Sequence, residues 1–327
     1  MLPLDFSAAA NISSEAAAAE DDELKIVREY LLSLDPTGSR FAAVLRDTID
    51  QLLNGEATGR YDWKDLRQTE KTHAGSLVEI NLHREFNFAD GKAMDYQIGG
   101  IEVDCKFSQD FGGWMIPPEA IGHLCLLVTA DDYASSWSAG LLRIQEDWLN
   151  QGSNRDKKLT VKARHRHRIS WLWHKAELPE NVLLHLPPAI RSQILIKGKN
   201  KGQARVIELF RRIQNKPIGR GAVRTAAQQL DYMARLREGT GRARTVLREE
   251  GILIAGPYSK HQDIARRLGA CVPRRGEFVS FRVAELKPHH ANRPSVELDG
   301  RSWVLAEPKD QHEPGPRLPR LTGETES

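Results

Sequence analysis

The chain has 327 residues, 40% hydrophobic and 28% charged, with a net charge of +3. That is long enough for a sizeable core and about two domains, and its charge content is ordinary for a globular protein. Three cysteines without paired spacing exclude a disulfide framework, and no apolar run is long enough to span a bilayer.

The near-neutral total hides an asymmetry. Residues 1–150 carry −14, residues 151–287 carry +19 and residues 288–327 carry −2. The basic block is a candidate polyanion surface, and the alternatives are a solvated face or an internal partner for the acidic half. The Ala-rich, acidic start lacks a basic n-region and is not a signal peptide, so a cytoplasmic protein is expected.

Residues 1–20 read as a disordered N-terminus. Apolar spacing predicts a helix over 23–34 and a second from Ser39, its possible N-cap, to Leu53. A third helical stretch runs from Thr69 to Phe86 with Leu77, Ile80 and Leu82 among its apolar positions and Glu79 beside them. Residues 94–107 follow as a β-hairpin. Gly99-Gly100 supplies the two positive-φ residues of a two-residue turn. Folding the arms about it opposes Tyr96 to Val103, Gln97 to Glu102 and Asp95 to Asp104. Alternation puts Tyr96, Ile98, Ile101, Val103, Cys105 and Phe107 on a core face. The other face, polar, takes Asp95, Gln97, Glu102, Asp104 and Lys106.

Two carboxylates across a ladder repel one another, and a cation between them removes the penalty. Oxygen ligands of this kind suit Mg²⁺. Lys106 lies on the same face and could hold a phosphate oxygen or an attacking water. This grouping resembles the core of the PD-(D/E)xK nucleases. An amphipathic surface hairpin with acids outward explains the same triplet without chemistry. Glu79, on the helix leading in, is a third acid or an exposed helix glutamate.

Residues 109–118 read as a loop facing DNA. Strands are expected over 123–130 and 137–144, which makes the first half an α/β domain with a mixed central sheet. Arg155 to Arg168 is a basic connection, and Ser170 to Pro188 a bridging segment. Beyond it come helices over 203–214, 221–229, 232–237 and 242–249, then strands over 252–255, 278–283 and 302–306. That order is winged helix-turn-helix. Arg205, Arg211 and Arg212 are expected to point outward, with Arg242, Arg244 and Arg248 at helical spacing. All six are candidate DNA contacts. The expected organisation is an endonuclease domain over 21–165, a DNA-binding domain over 166–306 and a disordered tail over 307–327.

Longer stretches carry a resemblance. They are Thr69 to Phe86, Val103-Asp104-Cys105-Lys106-Phe107, Pro117 to His123, Gly202 to Val206 and Leu209 to Arg212. They are collinear, fall in both halves, and are similar to the NaeI family of type II restriction endonucleases from about Asp22 to about Trp303. The resemblance implies a nuclease centre of Glu79, Asp95, Asp104 and Lys106. Its metal ligands are Glu79, Asp95, Asp104 and the Cys105 carbonyl, and its cofactor is Mg²⁺. It also implies a homodimer acting on double-stranded DNA at two sites (type IIE, one copy as effector), with GCCGGC as the first expected sequence. A cognate DNA methyltransferase is the expected functional partner. Met94 stands where the nuclease signature has proline. A non-catalytic winged-helix regulator and a structure-specific repair nuclease are the competing functions.

Overall fold

The computed structural model describes residues 21–151, 158–198 and 200–319. The segment 1–20, part of the basic connection and the last eight residues lie outside it, and with them the expected disorder at the N-terminus.

The first half comprises α1 (Asp22–Leu34), α2 (Ser39–Leu53), α3 (Gly55–Thr58) and α4 (Gln68–Phe86). Six strands follow: β1 (Ala89–Asp90), β2 (Tyr96–Ile98), β3 (Ile101–Ser108), β4 (Leu124–Asp131), β5 (Ser136–Arg143) and β6 (Ser170–Glu177). They form one sheet in the order β1-β2-β3-β4-β5-β6, antiparallel except for the parallel β3–β4 pair. The sheet is mixed, as the sequence predicts. Residues 170–177, expected to bridge two domains, are its sixth strand, so the sheet runs past residue 165.

Local chemistry explains the helices. The Asp21 carboxylate accepts from Leu24 N at 3.0 Å and caps α1. At α2 the cap is not Ser39. Asp35 reaches forward to accept from Arg40 N (2.9 Å) and Phe41 N (3.0 Å), and Ser39 is already the first helical residue. Along α4 the buried stripe is Ala74, Val78, Leu82 and Phe86, at four-residue spacing. Ile80, expected among the apolar positions, is exposed.

α2 and α4 cover one face of the sheet. Phe41, Leu45, Leu82, Tyr96, Val103 and Leu126 are fully buried there, each worth about 1.5–3 kcal/mol. The other face is polar at its β2–β3 end, as the alternation of the hairpin predicts. Further along, Cys125, Leu127 and Leu142 meet Trp114, Ile116 and Val161 in a second apolar cluster. The cause is that residues 109–121, 144–151 and 158–169 fold back over that face.

The second half has α5 (Val182–His185), α6 (Pro188–Ile194), α7 (Gly202–Arg212), β7 (Ile218–Gly219), α8 (Arg220–Ala227), α9 (Met233–Leu236) and α10 (Ala243–Arg248). β8 (Ile252–Ala255), α11 (Ser259–Leu268), β9 (Glu277–Glu285), β10 (Ser295–Leu298) and β11 (Arg301–Leu305) complete it. β9 pairs antiparallel with β7, β8 and β11. α11 has no counterpart among the expected elements, although its buried positions, His261, Ile264, Ala265 and Leu268, follow helical spacing.

Residues 307–319 correct the expectation of a disordered tail. Gly315 N donates to Arg248 O (2.8 Å), Arg317 N to Asp299 Oδ2 (2.8 Å), and Leu318 packs on the sheet core. Asp310 fastens this strap between His289 Nε2 and His290 Nε2, each at 3.1 Å. It is the one cluster of three metal-type side chains within 4.8 Å among the described residues. Lys287 N donates to His290 Nδ1 (3.1 Å), which puts the proton of a neutral ring on Nε2, facing Asp310. The cluster is therefore an acid-anchored clamp.

The halves are packed together closely. The Gly221 Cα lies so near Asp50 that a Cβ would stand 2.0 Å from its Oδ2, and a Cβ on Gly55 would stand 1.9 Å from Thr225 Oγ1. Beside this seam is a cavity of about 450 Å³ whose lining includes Asp47, Asp50, Tyr61, Asn181, Arg220 and Arg224.

Candidate active site

The hairpin adopts the predicted register: Tyr96 pairs Val103, Gln97 pairs Glu102 and Ile98 pairs Ile101. Both turn glycines have positive φ, 60° and 84°. Asp95 sits just before β2, and its Oδ2 accepts from Cys105 N at 2.7 Å. Asp104 is on β3, 5% exposed. Three oxygens converge on the Lys106 ammonium: Asp104 Oδ1 at 2.5 Å, Cys105 O at 3.0 Å and Asp95 Oδ2 at 3.4 Å. Asp95, Asp104, Cys105 and Lys106 therefore meet at one point, already filled by a cation.

Glu79 stands outside this hydrogen-bonded group but within its field. Its helix is fixed to the hairpin by the Tyr96 hydroxyl, which donates to the Glu79 carbonyl at 2.8 Å. Burial raises the Glu79 pKa, and the Asp95 charge raises it further. Burial likewise pushes Asp104 up to about 6, against the pull of Lys106. For Lys106 burial favours the neutral form, but Asp104 and Asp95 outweigh it and the pKa lies above the ordinary lysine value. These opposed shifts belong to a compact, half-desolvated acid–cation group.

Cys105 points to the other face and is buried, and burial pushes its thiol up to about 12. Such a thiol is packing and not a nucleophile. Cys125, unforeseen from the sequence, stands opposite Asp104 across the β3–β4 pair. Its Sγ donates to Asp104 Oδ2 at 3.3 Å, which occupies the carboxylate oxygen that Lys106 leaves free. Glu102 was legible only as part of the polar face. Its carboxylate accepts from Lys92 N, Ala93 N and Met94 N at 3.0–3.1 Å. Those bonds hold it down at about 2 and fix the loop that delivers Asp95.

The arginines of the second half differ among themselves. Arg205, expected outward, is buried instead, because its guanidinium serves Ala226 O (2.7 Å), Ile196 O (3.3 Å) and Gln228 Oε1 (2.9 Å). Arg211 is clamped by Glu250 (2.6 Å) and Glu208, and Arg212 bonds Glu208 at 2.8 Å. Arg242 donates to Ala234 O at 2.5 Å and Arg248 to Glu249 at 3.1 Å. Arg244 has buried Nε and Nη2 atoms without an acceptor.

An acid pair and a lysine on a hairpin, with a third acid on the adjoining helix, can bind a hard cation and a phosphate together. The family described as "Restriction endonuclease NaeI" matches residues 25–314. The chain belongs to the NaeI restriction endonuclease family. One relative, the type II restriction enzyme NaeI of Lentzea aerocolonigenes, is 47% identical over 312 residues, covering 94% of this chain and 98% of that protein. Membership in the NaeI family covers both halves, so the acid–lysine group and the basic helical module are parts of one site-specific deoxyribonuclease. Among the described residues, no helix is long and apolar enough to cross a membrane.

Proposed function

We propose that this protein is a Mg²⁺-dependent type II restriction endonuclease cutting both strands of a palindromic DNA site. The observation that carries the proposal is the convergence of Asp95 Oδ2, Asp104 Oδ1 and Cys105 O on one cationic point. Three hard oxygens around a positive charge are the donor set of a small divalent ion, and an ammonium holding that point in its place supports the fit.

Asp95, Asp104 and the Cys105 carbonyl would hold the ion, and Glu79 would orient water beside it. When bound, Mg²⁺ supplies a water of lowered pKa and charge neutralisation at the phosphate. Lys106, released from the carboxylates, turns its ammonium to the attacking water or to a non-bridging phosphate oxygen, where negative charge develops. Glu102 and Tyr96 keep Asp95 and Glu79 in place and touch no reacting atom.

The second half supplies affinity. α7, β7, α8, α10, β8 and β9 follow the winged helix-turn-helix order, and the antiparallel pairing of β9 with both β7 and β8 supports that assignment. Arg242, Arg244 and Arg248 then lie on or beside the helix offered to DNA. Arg205 is left out, since its donors are spent inside the module. A two-fold homodimer brings one centre to each strand, and the type IIE reading assigns a second DNA copy as effector. GCCGGC is the first sequence to try, and protection by a cognate methyltransferase follows from the same reading.

The test is plasmid digestion with Mg²⁺. A fixed band pattern is expected, and Asp104→Ala should abolish cutting while binding in Ca²⁺ persists. Residual nicking by that variant at the wild-type rate would place the chemistry elsewhere. Binding without any cutting by the wild type would instead favour a regulator.

A further inference from the structure

Strand register carries the catalytic face across the sheet. Lys106 pairs with Leu127, Leu127 with Gly140 and Gly140 with Trp171. Residues directly opposite one another share a face, so Trp171 stands in the row of Lys106 and on its side of the sheet. Three strand spacings separate them, about 14 Å at ~4.8 Å each.

The row is irregular where it ends. Pairing slips between Ala139↔Trp173 and Gly140↔Trp171, and Lys175 takes a positive φ of 53°. A lysine there is strained, and a bulge of this kind re-aims side chains. Ser138 secures it, since its Oγ accepts from Lys175 N at 2.9 Å. The result is that Trp171 and His174, three apart on one strand, stack at 4.5 Å with planes 28° apart. Regular alternation would send them to opposite faces.

Phe111 completes the layer from the loop after β3. Its ring stacks on Trp171 at 5.8 Å and 29°. Arg166 fixes the loop, with its guanidinium 5.9 Å from the Phe111 ring centre and donating to Gly112 O at 3.3 Å. Phe111 is nevertheless 48% exposed, and His174 and its neighbour Lys175 are exposed as well. A rigid, open aromatic shelf ringed by cations is not needed to close the core, which Trp114 and Leu127 already seal from below.

We propose that Phe111, Trp171 and His174 form a ledge that seats the DNA duplex outside the cleaved site. The rings pack on deoxyribose and base edges, and Arg166 and Lys175 take the phosphates. The inference rests on the nuclease reading of Asp104 and Lys106. At ~3.4 Å per base pair, 14 Å places the contact about four base pairs from the scissile phosphate. The occupant is double-stranded DNA because the ledge lies on the same side of the sheet as the acid–lysine group and because Arg166 and Lys175 make its rim basic. It sets affinity and alignment and takes no part in bond breaking.

The experiment compares duplexes centred on GCCGGC with long or with trimmed flanks. Binding is read by anisotropy in Ca²⁺ and cleavage by single-turnover rate in Mg²⁺, for wild type, Phe111→Ala, His174→Ala and Phe111→Tyr. Trimming the flanks should weaken wild-type binding roughly tenfold, the scale of one lost aromatic–nucleotide contact. Both alanine variants should already be weak on the long duplex and insensitive to trimming, with Phe111→Tyr restoring the response. The cleavage rate at saturating DNA should stay near wild type. Flank dependence unchanged in both alanine variants, or absent from the wild type, overturns the ledge. The anisotropy arm reads the ledge even if the wild type cuts nothing, an outcome that would sink the nuclease reading alone.

Discussion

Burial holds the Asp104 carboxyl at about 6 in the folded protein, above its ordinary 3.8. The folded state therefore keeps a proton between about pH 4 and 6 that the unfolded chain has lost. Stability falls as pH rises through that window, and the penalty is complete above it. Asp104→Asn should remove it. In EDTA we expect that variant to be more stable than wild type at pH 8, by about 3 kcal/mol, and to be nearly equal to it near pH 4, while its cleavage is lost. Melting curves across this range decide it, and an Asn variant less stable at pH 8 would make Asp104 a net stabiliser. Asp95, Asp104 and Lys106 were legible in the sequence because strand alternation and a Gly-Gly turn fix which side chains share a face. Cys125 was not, because its contact with Asp104 comes from a parallel strand twenty-one residues on, and no local periodicity reports such a pairing.

At the scale of elements, one hydrogen bond ties α4 to the hairpin, and the Glu102 carboxylate ties down the loop between them. Tyr96→Phe deletes the hydroxyl donor to Glu79 O and should lower kcat several-fold with little change in KM, since it loosens the third acid relative to the other two. Glu102→Gln weakens the clamp on residues 92–94 and should cut activity by tenfold or more through Asp95. Its folding should be nearly unchanged, and thermal melts run beside the kinetics separate the two effects. Wild-type kinetics in either variant would show that these bonds serve folding alone. Helices α1, α2 and α4 lay within a residue or so of their expected ends, because apolar stripes and caps are local signals. The arginines show where such signals stop. Helical spacing places Arg205 on α7, but only the approach of α8 and the chain at Ile196 gives its guanidinium three internal acceptors.

Across the whole molecule, the acidic and basic halves meet at a seam of short side chains. Arg46 bonds Asp50 (2.8 Å) and Asp132 (2.5 Å) inside it, and Asn181 donates to Tyr61 O at 2.8 Å. Gly221→Ala would drive a methyl into the Asp50 carboxylate, and Gly55→Ala one into Thr225. Each should destabilise the protein by about 1–3 kcal/mol. Since Asp50 is far in sequence from the hairpin, cleavage by the folded fraction tests whether the seam also carries coupling between the halves. Loss of effector response with intact basal cutting would show that it does.

The sequence by itself determined the hairpin, its acids and lysine, the helices around them and the basic character of the second half. Those depend on backbone sterics, two- and four-residue periodicity and summed charge, which act over a few residues or need no geometry. Tertiary structure decided the rest: that residues 170–177 add a sixth strand, that residues 307–319 are strapped down, that Arg205 is spent internally, and that Phe111, Trp171 and His174 share a ledge. Each of these is a long-range pairing, and its free energy exists only once distant segments have excluded water between them.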